Sequence, residues 1–367
     1  MRARTRDRRV YLRSHPVLFA LVVLTRRAPT VRLGRTVVVN DAEAYRQVLT
    51  RLPLDRHAPG TTGGAARRVT SGGLLFDQEG DEHRQARREL TDDLGAEAVR
   101  GLRPVWRALL GRRVLRLGRG GRVDVVALAA ELAGATTAAL LRLDVDPVAL
   151  ATAACDAAAA AAREHLPGVR LSRRHDPAGV AADRLTALLS TSDGGRDAML
   201  AIAAITTTVA ALPRAVAWCA DDALWPWVDD DADRAALVGE LFRVLAPTPL
   251  LPRVAAAAGT VAGQRIRAGD RLLLVSRHAM RSYRDDPDPA RPAPPQLVQL
   301  AFGAGPHACP GAALARAQLD DTLAAFAPYR PVVVRARADR RSALPGWSAL
   351  VVRAGSDVRQ VADVSRR

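Results

Sequence analysis

Hydrophobic residues recur at helical spacing through most of this chain. Alanine- and leucine-rich stretches with a repeat of three to four residues predict helices. In one of them, 197–221, apolar residues occupy nearly all sides, which indicates a helix buried in the centre of the protein. The predicted helices cover 85–117, 123–143, 149–163, 197–221 and a segment that starts near Gly311. The pattern favours a mainly α-helical fold.

Strand patterns are fewer and lie near both ends of the chain. The segment 31–39 predicts two paired strands, after which Asn40 or Asp41 can cap a helix. Two segments predict loops: 56–73 is rich in Gly, Thr and Arg, and 284–295 is rich in proline. Further strands are predicted within 263–276, as strand, turn and strand, and at 331–337 and 349–353. We therefore expect a mainly α protein with small β-sheets.

Composition limits the class of protein. The chain has 367 residues, 49% of them hydrophobic, and neither a linker nor a repeat divides it, so we expect a basic flexible tail over 1–15 and one domain over 16–367. The net charge is +16 and every basic residue is arginine, but these arginines are dispersed and only 4% of residues are aromatic, which argues against nucleic-acid binding. Three cysteines make no disulfide framework and favour a cytoplasmic protein.

A short apolar run near the start of the chain raises the question of a membrane. The run PVLFALVVL at 16–24 follows a strongly basic segment. Nine residues are too few to span a bilayer, and the residues after the run contain no small-residue cleavage site. We expect an amphipathic helix and no transmembrane span, and surface contact with anionic lipid stays open.

The segment 302–316, FGAGPHACPGAALAR, contains the most specific chemistry. Gly303 and Gly305 allow backbone conformations that a Cβ would forbid. Cys309 follows them, just before the predicted helix, where peptide dipoles favour a thiolate. A thiolate there suits a nucleophile or a soft ligand of iron, and the alternative is a buried structural cysteine.

This segment resembles the haem-binding loop of the cytochrome P450 family, the haem-thiolate monooxygenases. The family pattern F-G-x-G-x-H/R-x-C-x-G is matched at all six fixed positions, by Phe302, Gly303, Gly305, His307, Cys309 and Gly311. The resemblance implies haem b (iron protoporphyrin IX) as cofactor, with Cys309 as the proximal iron ligand. It further implies that Phe302 packs near the sulfur, that His307 bonds a haem propionate, and that Gly311 belongs to the cofactor-binding loop.

Three further matches extend the resemblance upstream. His83 and Arg87 match a family H-x-x-x-R that serves the haem propionates, and Arg253 matches a further propionate-binding arginine. Taken alone, His83 and Arg87 four residues apart would more often form a solvated helix face.

Glu240 and Arg243 form an E-x-x-R pair, which in the family is a buried ion pair with a structural role. A third arginine from the proline-rich segment normally completes that network. Arg291 is the better candidate, and Arg284 is the alternative.

The central helix departs from the family pattern A-G-x-D/E-T. Thr207 matches the threonine that helps to order oxygen and water, and is the implied catalytic partner of Cys309. Thr206 replaces the acid that relays protons, and Ala204 replaces the glycine. A threonine hydroxyl can pass on a proton but cannot carry charge near neutral pH. The alternative interpretation of these threonines is helix packing, with hydroxyls bonded to the preceding turn.

The resemblance implies a cytochrome P450-like single-domain fold and a soluble, bacterial-type monooxygenase. Such an enzyme would take electrons from a ferredoxin-type donor and insert one oxygen atom of O2 into a small, largely apolar molecule, in specialised metabolism. We expect a monomer. Two alternatives stay open: a haem-thiolate protein that uses peroxide or catalyses a rearrangement, and a binding protein, with or without haem, that has little turnover.

Overall fold

The computed structural model describes residues 2–69, 75–165, 177–189 and 194–356. Over these residues it contains 14 α-helices and nine β-strands. The helices are α1 (Arg2–Ser14), α2 (Pro16–Thr25), α3 (Ala42–Arg51), α4 (Thr62–Val69), α5 (Gly80–Leu94), α6 (Ala96–Gly118), α7 (Val125–Leu140), α8 (Pro147–His165), α9 (Pro177–Leu189), α10 (Gly194–Asp221), α11 (Asp231–Leu245), α12 (Ser276–Ala279), α13 (Pro295–Val298) and α14 (Ala312–Phe326). The strands are β1 (Thr30–Leu33), β2 (Thr36–Val39), β3 (Arg122–Asp124), β4 (Leu250–Val254), β5 (Gly259–Val261), β6 (Gln264–Ile266), β7 (Arg271–Val275), β8 (Val332–Ala338) and β9 (Trp347–Arg353).

The strands form three small sheets. The largest has the order β1-β2-β7-β4, in which only the β2–β7 pair is parallel. β3-β9-β8 form a second, antiparallel sheet, and β5 and β6 form a hairpin. The predicted architecture, mainly α with small β-sheets, is confirmed.

Helix α10 occupies the centre of the helical part. It packs against α7, α8, α11 and α14. Val216, Ala217 and Trp218 are consecutive residues that point to different sides of the helix, and all three are buried. In the described part of the chain α10 is the one helix long and apolar enough to cross a membrane, but most of its apolar stretch is buried inside the protein, as expected of a core helix.

Two predicted boundaries differ from the structure for local reasons. The expected loop over 56–73 contains α4, because the Thr61 hydroxyl accepts the backbone N–H of Gly64 at 3.0 Å and caps a helix there. The helix expected over 85–117 is two helices, α5 and α6, which meet at Gly95 in an extended conformation. Asp41 caps α3 as predicted.

The basic segment expected to be a flexible tail is helical and docked. Arg214 of α10, itself fully buried, donates two hydrogen bonds to the Asp7 carboxylate at 2.7 and 3.1 Å. The Tyr11 hydroxyl donates to the Leu245 carbonyl at 2.6 Å. The expectation of flexibility over 2–14 was wrong because the partners of α1 lie more than 200 residues further along the chain.

Candidate active site

The backbone of the Cys309 loop is held in one conformation by its glycines. The Cys309 N–H donates to the Phe302 carbonyl at 2.7 Å, which closes the loop. Gly303 and Gly305 have φ angles of 79° and 71°, in the region that favours glycine. A Cβ at Gly305 would also lie 2.8 Å from the Leu49 carbonyl oxygen of α3. Both glycines are therefore required by the local fold.

The Cys309 thiol is accessible to solvent, although surrounding protein atoms desolvate it. Desolvation raises the pKa of Cys309, and it outweighs the Gly311 backbone and the positive charges of Arg87 and Arg316, which lower it. The helix after the loop begins at Ala312, as predicted, but its N–H groups do not offset the desolvation of the Cys309 thiol. A thiolate at Cys309 is instead expected on binding of a metal cation, which deprotonates a coordinating thiol.

The Phe302 ring packs beside this loop between an aromatic ring and a cation. Its centroid lies 4.9 Å from that of Phe242 in α11. The Arg316 guanidinium carbon lies 4.4 Å from the centre of the Phe302 ring, and Arg316 also donates to the Gln299 side chain at 3.2 Å. Phe302 thus connects the loop to α11 and α14.

The predicted carboxylate-binding residues converge on the Cys309 loop. The His83 and His307 rings, from α5 and the loop, stack with their centroids 3.8 Å apart. Arg87, one turn after His83, donates to the carbonyl of Ala308 at 2.6 Å. Arg253 lies on β4, and its positive charge acts on His307. Four positions spread over 225 residues of sequence therefore meet in one cluster.

This cluster carries an excess of positive and hydrogen-bond-donating groups. Desolvation, and then the charges of Arg56, His83, Arg253 and Arg87, lower the pKa of His307 to about 3. Desolvation and the charge of Arg56 lower the pKa of Arg253 to about 10. The pKa of His83 is lowered in the same way. Within the described part of the chain, the buried His83 Nε2 and Arg253 Nε atoms have no hydrogen-bond partner.

Arg56 belongs to the same cluster and was missed by the sequence analysis. Its side chain is only 10% exposed and lies 3.6 Å from Glu79, and its Nε has no hydrogen-bond partner among the described residues. Thr62, also missed, accepts a hydrogen bond from Arg253 at 2.9 Å. No pattern in the sequence distinguishes Arg56 from the many other arginines, because its burial depends on long-range packing.

The donor set fits haem. The buried His83 Nε2 and Arg253 Nε atoms, which have no hydrogen-bond partner among the described residues, suit the two propionate carboxylates of that cofactor. Across the described residues no group of three or more His, Cys, Asp and Glu side chains is placed to hold a metal ion. A lone cysteine, Cys309, therefore suits iron whose other ligands come from a macrocycle.

Thr206 and Thr207 lie half-buried in the middle of α10, and both bond to their own helix. The Thr207 hydroxyl donates to the Ala203 carbonyl at 2.8 Å, and that of Thr206 to the Ile202 carbonyl at 2.7 Å. Each hydroxyl oxygen keeps its lone pairs as acceptors.

Gly311, in the Cys309 loop, is not required by the protein atoms described around it. A Cβ at Gly311 would be 3.9 Å from Cys309 Sγ, which is an ordinary contact.

Glu240 and Arg243 form a buried ion pair in α11. Their side chains are 1% and 3% exposed, and Arg243 Nη2 donates to Glu240 Oε2 at 2.5 Å. Arg243 also donates to three backbone carbonyls, those of Met280, Asp285 and Asp286. Glu240 accepts the backbone N–H groups of Asp288 and Ala293 at 3.2 and 2.9 Å.

The third arginine predicted for this network is not part of it. Arg291 is 88% exposed and pairs with Asp288, and Arg284 is 71% exposed beside Asp285. The proline-rich segment joins the network through its main chain instead. Its residues lack regular structure, so their backbone groups are free to bond Glu240 and Arg243.

A second buried carboxylate fixes α14, the helix that follows the Cys309 loop. Asp321 accepts hydrogen bonds from Arg103, Trp106 and Arg107 of α6, at 2.7 to 2.9 Å. Desolvation opposes its ionisation, but these hydrogen bonds and the positive charge lower the pKa of Asp321. The contact sets the position of α14 relative to α6.

Known proteins resemble this chain in both sequence and fold. Residues 235–326, which include Glu240, Arg243 and Cys309, match the family model "Cytochrome P450". Proteins described as "Putative cytochrome P450 140" in Mycobacterium bovis and Mycobacterium tuberculosis are 39% identical over 124 residues, or 32% of this chain. Over these segments the chain is similar to the cytochrome P450 family.

The sequence match to those mycobacterial relatives covers 28% of their length. The likeness in fold is broader. P450BioI, solved with an acyl carrier protein ligated to hexadec-9Z-enoic acid, aligns with a TM-score of 0.75 at 18% identity, over 94% of this chain and 99% of its own. CYP109E1 from Bacillus megaterium, solved with testosterone, aligns with a TM-score of 0.71 at 19% identity, over 94% of this chain and 99% of its own. At these identities the alignments show the cytochrome P450 fold alone.

Proposed function

We propose that this protein is a cytochrome P450 and acts as a haem b-dependent monooxygenase. One O2, two electrons and two protons would convert a C–H bond of the substrate to C–OH and yield one water. The observation that supports this most strongly is the Cys309 loop beside a buried cationic cluster. In that cluster the His83 Nε2 and Arg253 Nε atoms have no hydrogen-bond partner among the described residues. Haem supplies the reductive activation of O2 when bound.

In this proposal each residue has a separate task. Cys309 holds the iron, and Arg56, His83, Arg87, Arg253 and His307 hold the propionates. Phe302 and Gly311 pack along the loop. Thr207 orders water and passes protons through its hydroxyl, which can accept a proton on one side while it donates on the other.

The substrate is proposed to be a small, largely apolar molecule in specialised metabolism. Two proteins of the same fold were solved with apolar compounds, the fatty acid of P450BioI and the testosterone of CYP109E1, and P450 EryK was solved with erythromycin B. The apolar composition of α10 on the side of Thr207 is compatible with such a substrate. We further propose a monomeric, cytoplasmic protein.

A ferredoxin-type protein is the proposed electron donor. Arg88, Arg107 and Arg112 are exposed on α5 and α6, which pack beside α14 and the loop. Acidic partners are steered toward such a surface, and salt screens the attraction over about 8–10 Å. Reduction by a ferredoxin should therefore slow as salt rises, and a rate that does not depend on salt would contradict this choice of partner.

The spectrum of the reduced protein with carbon monoxide tests the proposal. Wild type should show the Soret band diagnostic of thiolate-ligated haem, and Cys309→Ala should lose it. Cys155→Ala is the matched control, because Cys155 lies in α8, away from the loop in sequence. A protein that binds no haem, or a Cys309→Ala variant with an unchanged band, would overturn the assignment.

A second function, use of peroxide in place of O2 and electrons, is favoured by one observation. Thr206 stands where the family has an acid, and its hydroxyl donates to its own helix. Turnover with hydrogen peroxide as fast as turnover with O2 and a ferredoxin would support this alternative over the monooxygenase.

A further inference from the structure

Helix α2 carries apolar residues on every side, but only one side packs against the rest of the protein. Phe19 and Val22 are buried, and Val22 contacts Val38 and Val275 of the four-stranded sheet. The opposite side presents Val17, Leu21 and Leu24, at helical positions i, i+4 and i+7, which are 70%, 56% and 79% exposed. Apolar side chains aligned in this way mark an interaction surface.

The exposed large hydrophobic side chains of the protein are concentrated in and next to α2. The described residues include ten exposed large hydrophobic side chains, and five of them lie between positions 12 and 24, namely Leu12, Val17, Leu21, Val23 and Leu24. The other five are dispersed through the chain. We call the side chains of Val17, Leu21 and Leu24 the α2 face.

The sequence that contains the α2 face is strongly basic. Residues 2–35 contain ten arginines and one acidic residue, Asp7, which is buried against Arg214. Arg9 and Arg13 precede α2 and Arg27 follows it; all three are exposed, and none forms an ion pair with any described residue. The partner of this surface should therefore be both apolar and negatively charged.

The α2 face is a fixed part of the surface. The bonds of Asp7 to Arg214 and of Tyr11 to Leu245 hold α1 against α10 and α11, and α2 follows α1 after His15.

We propose that the α2 face binds the surface of an anionic lipid bilayer. Leu21 and its neighbours would enter the interface between headgroups and acyl chains, and Arg9, Arg13 and Arg27 would bind lipid phosphates and carboxylates. A helix of ten residues is about 15 Å long, half the hydrocarbon thickness of about 30 Å, so it lies along the membrane and does not span it. A second copy of the chain fits less well, because two identical faces would bring unpaired arginines together.

Sedimentation of the full-length protein with lipid vesicles tests this proposal. Wild type should bind vesicles of phosphatidylcholine mixed with phosphatidylserine and should bind pure phosphatidylcholine much more weakly. The double variant Leu21→Gln/Leu24→Gln should weaken binding about tenfold or more, since it removes two apolar anchors. Arg13→Gln/Arg27→Gln should weaken binding to the anionic vesicles, and added salt should have the same effect on wild type.

Matched controls separate this effect from general surface changes. Leu115→Gln and Val180→Gln alter exposed apolar residues outside the α2 face, at 52% and 69% exposure, and should leave vesicle binding unchanged. Circular dichroism should show that all variants fold. Equal binding of wild type and the Leu21→Gln/Leu24→Gln variant overturns the proposal. So does a dimer of wild type, seen by analytical ultracentrifugation, that this variant abolishes.

Discussion

Replacement of Glu240 by Gln should destabilise the fold strongly. The change keeps the shape of the side chain but leaves the Arg243 guanidinium, 3% exposed, without a counter-charge. Loss of one partner of a buried ion pair costs about 3–5 kcal/mol. The new amide also presents one acceptor oxygen where two backbone N–H groups now bond the carboxylate, and an unbonded buried donor costs about 1–3 kcal/mol. These costs are a large part of the roughly 5–15 kcal/mol that stabilises a typical domain.

The chain contains a control pair with the same spacing. Glu97 and Arg100 form an E-x-x-R pair on α6, with side chains 87% and 68% exposed. Glu97→Gln should change the free energy of unfolding by no more than about 1 kcal/mol, because exposed pairs are solvated.

Urea unfolding, followed by circular dichroism, would compare wild type, Glu240→Gln and Glu97→Gln, with the yield of haem-loaded protein measured in parallel. The reasoning is refuted if the two variants lose similar amounts of stability. It is also refuted if Glu240→Gln folds normally and loses only turnover, because the role assigned to this pair is structural.

Three further predictions concern other groups. Arg56→Gln should weaken haem binding about tenfold, through loss of a charge-assisted hydrogen bond. The haem-free protein should gain stability, because repulsion within the cationic cluster falls. Haem titration and thermal unfolding check this, with the exposed Arg100→Gln as control, and a fall in both haem affinity and stability would contradict it. Desolvation and two arginines lower the pKa of His278 to about 4. Between pH 6.5 and 4 the unfolded chain therefore binds a proton at this residue that the folded chain does not. As the pH is lowered through this window, the free energy of unfolding decreases by at most about 1.4 kcal/mol per pH unit. His278→Gln should reduce this slope in unfolding experiments at several pH values, and an unaltered slope would count against it. Thr206→Glu should raise the fraction of electrons recovered in product, because it restores an acid that can relay protons. Haem content is measured in parallel. If the fraction does not rise in fully haem-loaded protein, then Thr206 does not limit proton delivery.

Local signals in the sequence predicted much of the fold. The apolar pattern of α10, the Asp41 cap of α3 and the strands β1 and β2 each depend on residues close together in the chain, and the structure has all three. The break at Gly95 was missed because the helical pattern continues across it and one glycine is a weak signal on its own.

Interactions between distant segments were harder to predict. Glu240 is completed by backbone N–H groups, which have no side-chain signature, so an arginine was expected in their place. Arg56 resembles every other arginine until the fold buries it beside Arg253 and His307. The residues of the Cys309 loop were found because the family pattern is local and specific, and their roles in holding haem stay predictions.

The bond between Asp7 and Arg214 has a consequence for the order in which the chain assembles. The two residues are separated by 207 positions, so α1 can dock only after α10 has formed, and closure of so long a loop is entropically costly. During synthesis α1 and α2 leave the ribosome before α10 and α11, and the apolar side chains of both helices stay exposed until those partners form. These two helices therefore reach their final positions only after residues as far as Leu245 have been made, and until then their apolar side chains are open to aggregation.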